Sequence, residues 1–178
     1  MFAALRTEGI HPWLLDLGGG FPTALDAQCP PPEAYGAAIE RHLADAFGED
    51  RPTTIAEPGR GIAAEAGVLH ASVIGVVHRA GTRWVFLDAG VFTGLIETLD
   101  EAIRYPLATD VAGPTGPCVL AGPTCDSADV LYERVPVELP LALAEGDRVR
   151  FHCAGVYTAT YSSVGFNGFA PLATAVRS

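Results

Sequence analysis

A carboxylate and a permanently charged cation lie three residues apart at Glu57-Pro58-Gly59-Arg60. The run at 53–56 before them predicts a strand that carries this turn at its carboxyl end, where the active sites of α/β proteins gather. Arginine stays protonated, and its planar guanidinium binds phosphate through paired hydrogen bonds. The pattern therefore indicates an anion-binding site, although a plain ion pair between Glu57 and Arg60 would also explain it.

A second turn suited to anions lies upstream, at Gly18, Gly19 and Gly20. It follows an apolar run at 13–16 that predicts a buried strand. Successive backbone N–H groups in such a turn can line an anion site. Because the two turns would follow neighbouring strands, we expect one phosphate-bearing ligand between them. Glycines that only turn the chain are the alternative interpretation.

Composition limits the chemistry that the chain can perform. The 178 residues are 49% hydrophobic, enough for one large domain or parts of two, and the net charge is −10. That charge argues against a nucleic-acid partner and suits a cationic small substrate, although an acidic solubilising surface explains it equally well. All 11 basic residues are arginine. A reaction that needs a lysine amine, such as Schiff-base formation, cannot be completed by this chain.

The cysteines and the hydropathy indicate a cytoplasmic protein with reduced thiols. The four cysteines, Cys29, Cys118, Cys125 and Cys153, form no Cys-x-x-Cys pair, and no Cys/His cluster has zinc spacing. We therefore expect no metal site. No stretch has the pattern of a secretory signal or of a membrane span, so we also expect no membrane partner.

The elements that would position these residues change in type along the chain. Residues 2–8 and 33–47 predict helices, the second amphipathic with a proline start and Gly48 at its end. With strands at 13–16 and 53–56, this order predicts a parallel sheet. A short helix at 62–66 follows, and after it β-branched runs predict an antiparallel barrel or sandwich. These strands lie at 68–78, 83–88, 118–120, 130–138 and 147–153, with an irregular to helical segment at 90–105 and a loop at 109–117.

Two domains follow from this change, one over 1–62 and one over 63–178. Two strands and one crossover helix are too few to bury both faces of a parallel sheet. We therefore expect that the amino terminus is truncated or that a partner supplies the rest.

Five motifs occur in an order that is similar to a known enzyme family. The chain resembles the C-terminal part of the fold-type III pyridoxal-phosphate decarboxylases of ornithine, lysine, diaminopimelate and arginine. The resemblance covers essentially the whole chain. The motifs are LDLGGGFP at 15–22, AEPGR at 56–60, GPTCDSAD at 122–129, AGVY at 154–157 and FNGF at 166–169.

The resemblance implies an α/β plus β architecture. The first domain would hold the last strands and helices of a parallel (β/α)8 barrel, and an antiparallel β-domain would follow. The implied cofactor is pyridoxal 5'-phosphate. Glu57 would bind its pyridine nitrogen and keep it protonated, and Tyr157 would place a hydroxyl at the phosphate, unless it is merely a half-buried aromatic. The residues implied around the cofactor are Gly18, Gly19, Gly20, Glu57, Pro58, Gly59, Arg60 and Tyr157.

The resemblance also implies a substrate site shared across a head-to-tail homodimer. Cys125 would be the proton donor that reprotonates the substrate carbon, although most single cysteines are small buried hydrophobes. Asp126 and Asp100 would bind the distal ammonium of a basic amino acid, which must be paired when it loses water. Asp126 as a turn residue is the alternative. The sequence Cys-Asp-Ser at 125–127 ranks ornithine first and lysine second.

One departure from the family pattern shapes the functional hypothesis. The family's Schiff-base lysine and a ring-stacking histidine lie in barrel regions that this sequence does not contain. We therefore expect a decarboxylase of polyamine biosynthesis, forming a diamine, of which this chain is a C-terminal portion that is inactive alone. An N-terminal barrel chain would complete it. The alternative is a non-catalytic module that binds and regulates a full-length decarboxylase.

Overall fold

The computed structural model describes residues 1–25 and 29–177. It divides into two compact units, Met1–Ile62 and Ala63–Ser178. A closed barrel is not present in the described chain, whose first unit holds two parallel strands. No helix within these described ranges has both the length and the hydropathy needed to cross a bilayer.

The first unit alternates helices and strands, as the sequence predicts. The parallel pairing is confirmed by the register Leu14↔Thr53, Leu15↔Thr54 and Asp16↔Ile55. Its elements are α1 (Phe2–Thr7), β1 (Leu14–Asp16), α2 (Pro32–Phe47), β2 (Thr53–Ile55) and α3 (Gly59–Ala63).

Helix α2 is amphipathic because apolar residues recur every four positions on one face. Leu43 on this face is buried, and Phe47 packs edge-to-face on Phe2 with ring centroids 5.0 Å apart. The helix starts at proline, and Gly48 ends it with φ 55° and an N–H donated to the Ala44 carbonyl.

The prediction of a buried strand at 13–16 is wrong. The side chain of Trp13 is 72% exposed and that of Leu14 is 36% exposed. Leu43 is the single buried apolar residue among the described residues of this unit. A two-stranded sheet with so few helices offers too little apolar surface to cover both of its faces.

The second unit contains a six-stranded mixed sheet. Its strands pair in the order β5-β8-β3-β4-β6-β7. They are β3 (Leu69–Arg79), β4 (Thr82–Leu87), β5 (Leu107–Thr109), β6 (Thr115–Ala121), β7 (Val130–Pro140) and β8 (Arg148–Phe151). Short 3-10 segments lie at Ala64–Ala66, Ile96–Glu101, Ala159–Tyr161 and Phe166–Gly168.

The expectation of a purely antiparallel β-domain is wrong at one pair. Strand β4 runs parallel to β6, with Trp84 opposite Val119 and Phe86 opposite Ala121. The connection at 88–114 is long enough to bring the chain back to the end at which β4 started. The sheet also curls, because β3 pairs with β8 through Ser72 and with β4 from Val73 onward, with a bulge after Val73.

Two further boundaries differ from the prediction. The segment predicted as a loop at 109–117 contains the end of β5 and the start of β6, where Pro117 is paired with Glu138 of β7. The helix predicted at 62–66 is an α-helix that ends at Ala63 followed by a 3-10 turn. Pairing with distant strands therefore overrides the local Gly/Pro signal in β6.

Candidate functional site

The two anion-type turns are neighbours in the first unit. Strands β1 and β2 are parallel, so their carboxyl ends meet at one edge. The N–H of Leu17 donates to the Ile55 carbonyl at 2.9 Å, and the N–H of Glu57 donates to the Gly18 carbonyl at 2.9 Å. These bonds extend the strand pairing into the turns and place the glycine loop beside the Glu57 turn.

The glycine loop needs glycine for its geometry. Gly18 and Gly20 have φ +71° and +81°, a region that residues with a Cβ rarely adopt. A Cβ on Gly19 would lie 3.0 Å from the Glu57 carbonyl oxygen. The Asp16 carboxylate accepts the Gly18 N–H at 2.8 Å and fixes the start of the loop.

Arg60 lies on α3, directly after the Glu57 turn. A Cβ on the next residue, Gly61, would lie 3.1 Å from the Phe21 Cβ and 3.2 Å from the Pro22 carbonyl oxygen. Helix α3 therefore begins in contact with the end of the glycine loop. Glu57 is exposed and Arg60 is half-buried, so a carboxylate and a guanidinium flank a loop of backbone N–H groups.

In the second unit, Cys125 lies in the loop between β6 and β7, which Asp129 holds in place. The buried Asp129 carboxylate accepts three hydrogen bonds. They come from the Val91 N–H at 2.7 Å, the Thr124 N–H at 3.0 Å and the Thr124 hydroxyl at 2.7 Å. A Cβ on Gly90 or Gly122 would collide with this carboxylate. Thr124, which precedes Cys125, is therefore held in place by its two hydrogen bonds to the buried Asp129 carboxylate.

The sulfur of Cys125 is accessible and has a polar neighbour. Cys125 is exposed, and the Asn167 amide donates to its Sγ at 3.5 Å. Cys118 differs, because burial raises the pKa of its thiol to about 11 and keeps it protonated. Exposure therefore favours Cys125 over Cys118 as a group that exchanges a proton with a ligand.

Asp126 is exposed and its carboxylate accepts the Ala128 N–H at 2.8 Å. This is an Asx turn, so the alternative role weighed for Asp126 is present in the structure. The turn uses only Oδ1 of this carboxylate, so Oδ2 can still bind a cation.

Asp100 lies on the 3-10 segment before β5. Its φ is 54°, and its carboxylate binds the Arg134 guanidinium at 2.9 Å. Both side chains are mostly exposed, so the pair is open to water and worth little on its own. An incoming ammonium would compete with Arg134 for this carboxylate.

Glu101 acts in a way that the sequence did not indicate. Its carboxylate accepts the N–H groups of Glu133 and Arg134 at 2.9 and 2.6 Å and pairs with Arg104 at 2.8 Å. The Arg104 guanidinium lies 4.5 Å over the Tyr132 ring, and burial raises the pKa of Tyr132 to about 12. Glu101 therefore fastens the Asp100 segment to β7.

Tyr157 is half-exposed, and its ring lies 6.5 Å from the ring of Tyr161. Its backbone has φ 55°, a strained value for a residue with a large side chain.

In the first unit, the structure places the glycine loop next to the Glu57–Arg60 turn. It places Cys125, Asp126, Asp100 and Tyr157 in the second unit.

Comparison with known proteins gives a consistent result. Residues 14–155 match the model of a family described as pyridoxal-dependent decarboxylase, C-terminal sheet domain. The lysine/ornithine decarboxylase of Selenomonas ruminantium is 32% identical over 95% of this chain and 42% of its own length. Antizyme inhibitor 2 of Xenopus laevis is 36% identical over 95% of this chain and 40% of its own length.

A solved structure agrees in fold. The lysine/ornithine decarboxylase of Vibrio vulnificus, complexed with cadaverine, superposes with a TM-score of 0.81 at 35% identity. The match covers 96% of this chain and 46% of that one. The chain therefore spans less than half the length of these relatives.

Proposed function

Because this chain belongs to the family of pyridoxal-dependent decarboxylases, we propose that it supplies part of a site that decarboxylates a basic amino acid. The substrate ranked first is ornithine and the second is lysine, each giving a diamine. The observation that carries this proposal is the contact between the two turns. The Glu57 N–H bonds to the Gly18 carbonyl, and Gly19 packs against the Glu57 carbonyl.

The residues of the first unit fit the cofactor of this family. The loop of Gly18, Gly19 and Gly20 presents backbone N–H groups of the kind that bind phosphate, and Arg60 adds a charged fork. Glu57 would accept a hydrogen bond from the pyridine nitrogen and hold a proton there. Pyridoxal phosphate, when bound, supplies an electron sink for the electrons released as the carboxylate leaves. We assign 1–62 to the end of a parallel barrel on this basis.

The second unit would handle the substrate. Cys125 would deliver a proton to the carbon that has lost CO2. Asp126 and Asp100 would bind the distal ammonium, Asp126 from the neighbouring subunit of a head-to-tail dimer. The relatives named for lysine and ornithine support a basic amino acid, and the net charge of −10 would steer a cation to the protein.

The lysine that this chemistry requires must come from elsewhere, since this sequence contains none. We expect the 178-residue chain alone to release no CO2 from ornithine or lysine. Mixing it with the lysine-bearing barrel part of the Selenomonas enzyme should restore release and a new absorbance of bound pyridoxal phosphate. A soluble complex that binds the cofactor covalently but releases no CO2 from either amino acid would overturn the proposal.

Paired variants sharpen this test. Arg60→Ala should weaken cofactor binding by the complex at least about tenfold, because a charge-assisted hydrogen bond to phosphate is lost. Arg41→Ala, which removes an exposed arginine of α2, should leave binding unchanged. Equal effects of both substitutions would point to general electrostatics and not to a site at Arg60.

A second candidate is a module that regulates a decarboxylase without catalysing. The observation that favours it is the similarity to a protein named antizyme inhibitor 2, together with the absence of lysine. On this hypothesis the chain co-elutes with a full-length decarboxylase in gel filtration and changes its activity as it is titrated. No co-elution and no change in activity would exclude it.

A further inference from the structure

We propose that Asn167 is a positioning residue for Cys125, whose amide N–H orients the sulfur and stabilises the thiolate left after proton transfer. This inference rests on the proposed role of Cys125 as proton donor. Asn167 lies in the motif FNGF at 166–169, to which the sequence assigned no individual role.

The contact between the two side chains is built by the fold. The Asn167 Nδ2 lies 3.5 Å from the Cys125 Sγ, a normal distance for a hydrogen bond to sulfur, although 42 residues separate them. Asn167 lies in the 3-10 turn Phe166–Gly168 with φ 50°. Asparagine tolerates this left-handed conformation better than most residues.

The turn that carries Asn167 is anchored. The Phe166 ring lies 4.3 Å from the ring of Phe92, and the Ser163 N–H donates to the Phe92 carbonyl at 3.0 Å. Phe92 follows Val91, whose N–H is bonded to the Asp129 carboxylate. One segment therefore connects the Asn167 turn with the residue that holds the Cys125 loop.

The direction of the hydrogen bond matters for the chemistry. The amide nitrogen has only protons to give, so the sulfur accepts and its own proton is left available. When that proton moves to the substrate carbon, the S–H bond breaks, a C–H bond forms and the electron pair stays on sulfur. A donor aimed at the sulfur favours this anion over the thiol. On this proposal, the Asn167 amide stabilises the sulfur once its proton has moved to the substrate carbon.

Thiol alkylation of the 178-residue chain tests this without cofactor or partner. Iodoacetamide reacts with the thiolate, and mass spectrometry follows Cys125 in its own peptide. Asn167→Ala should slow alkylation at pH 7 by roughly threefold to tenfold, as expected for the loss of one ordinary hydrogen bond. Asn167→Asp should be slower still, because an isosteric carboxylate removes the donor and repels the thiolate.

The order of rates separates positioning from packing. If Asn167 does not donate to the sulfur, Asn167→Ala will react at the parent rate, and that result overturns the inference. Alkylation that becomes faster in Asn167→Ala overturns it too. Val164→Ala, an exposed change in the same segment, should leave the rate unchanged, and Cys29 should react equally in all variants.

The outcome is distinct from a failure of the proposed function. Suppose that the alkylation rates follow the predicted order but the complex releases no CO2. The role of Asn167 at Cys125 would then be supported, and the decarboxylase proposal would be contradicted. CO2 release from the complex without that order would sustain the decarboxylase and overturn the role of Asn167.

Discussion

Among single residues, Asp129 determines the shape of the Cys125 loop. A buried carboxylate is costly unless hydrogen bonds replace its lost water, and here three donors from two loops do so. The backbone of Asp129 also closes the loop, because its carbonyl accepts the Gly122 N–H at 2.8 Å. Gly90 and Gly122 leave the space that the carboxylate fills.

A double-mutant cycle at Gly122 and Asp129 tests this fit. Gly122→Ala should destabilise the chain by about 2–3 kcal/mol, since the new methyl meets the carboxylate. Asp129→Ala should cost about 3 kcal/mol, because three donors lose their acceptor. The double variant should cost at least about 1 kcal/mol less than the sum, because the smaller side chain leaves room for the methyl.

Urea unfolding measures these free energies. Gly75→Ala is the matched control, since a Cβ there would have nothing within 4 Å. Strict additivity of the two substitutions would contradict the close fit between Gly122 and the carboxylate.

The sequence predicted the residues that lie on local motifs and missed those that act at a distance. Glu57 and the glycines were placed together by the rule that parallel strand ends share an edge, and the hydrogen bonds agree. Glu101 was missed because its partners, Glu133 and Arg134, follow more than 30 residues later. No local pattern carries that information.

Among elements, the 3-10 segment Ile96–Glu101 depends on β7 for its position. Glu101 bonds to two backbone N–H groups of that strand, and Arg104 donates to the Val135 carbonyl at 2.7 Å. The Tyr132 hydroxyl donates to the Ile103 carbonyl and accepts the Tyr105 N–H. These bonds hold the backbone that directly follows Asp100. They offset the cost of two consecutive positive φ values at Asp100 and Glu101.

Glu101→Gln should therefore loosen the Asp100 segment. The amide keeps one oxygen acceptor but loses the charge that pairs with Arg104, so we expect about 1–2 kcal/mol of destabilisation. Hydrogen exchange at 96–105 should rise, while exchange in β3 and β8 stays as it was. Glu145→Gln removes the same charge from an exposed turn and should change neither. Unchanged exchange at 96–105 would show that the segment is held by other contacts.

Elements were predictable where their signal was local. Helix α2 has its apolar repeat, its proline start and its glycine end within 17 residues. Strand β5 is three residues long and is defined only by its pairing with β8, which no local pattern can reveal. The parallel β4–β6 pair likewise depends on where a long connection returns, and Pro114, Gly116 and Pro117 gave the opposite signal.

At the scale of the whole molecule, the two units differ in how much they bury. The largest fully buried side chains all lie in the second unit, among them Tyr132, Phe151 and Leu87. The first unit exposes apolar side chains on its strands, including Leu14 and Ile55. Burial of apolar area is the main source of stability, so the second unit should carry most of it.

Limited trypsin digestion tests this difference, because the chain is cut only at arginine. Early cleavage should fall after Arg41 in α2, and the resistant product should retain 63–177. Exposed arginines of the sheet, such as Arg134, should resist because their backbone is paired. In urea, trypsin should cut after every arginine except Arg51, which precedes a proline. First cuts within 63–177 would contradict the assignment of stability.

The pairing of β3 with β8 bears on how the chain folds during synthesis. Leu69 lies opposite Phe151, so the first half of β3 has no partner until β8, the last of the described strands, has been synthesised. At about 5–20 residues per second, that wait lasts several seconds. During this time β3 exposes an unpaired edge of the kind that recruits other chains. We therefore expect chaperones or slower synthesis to raise the yield of folded chain in the cell.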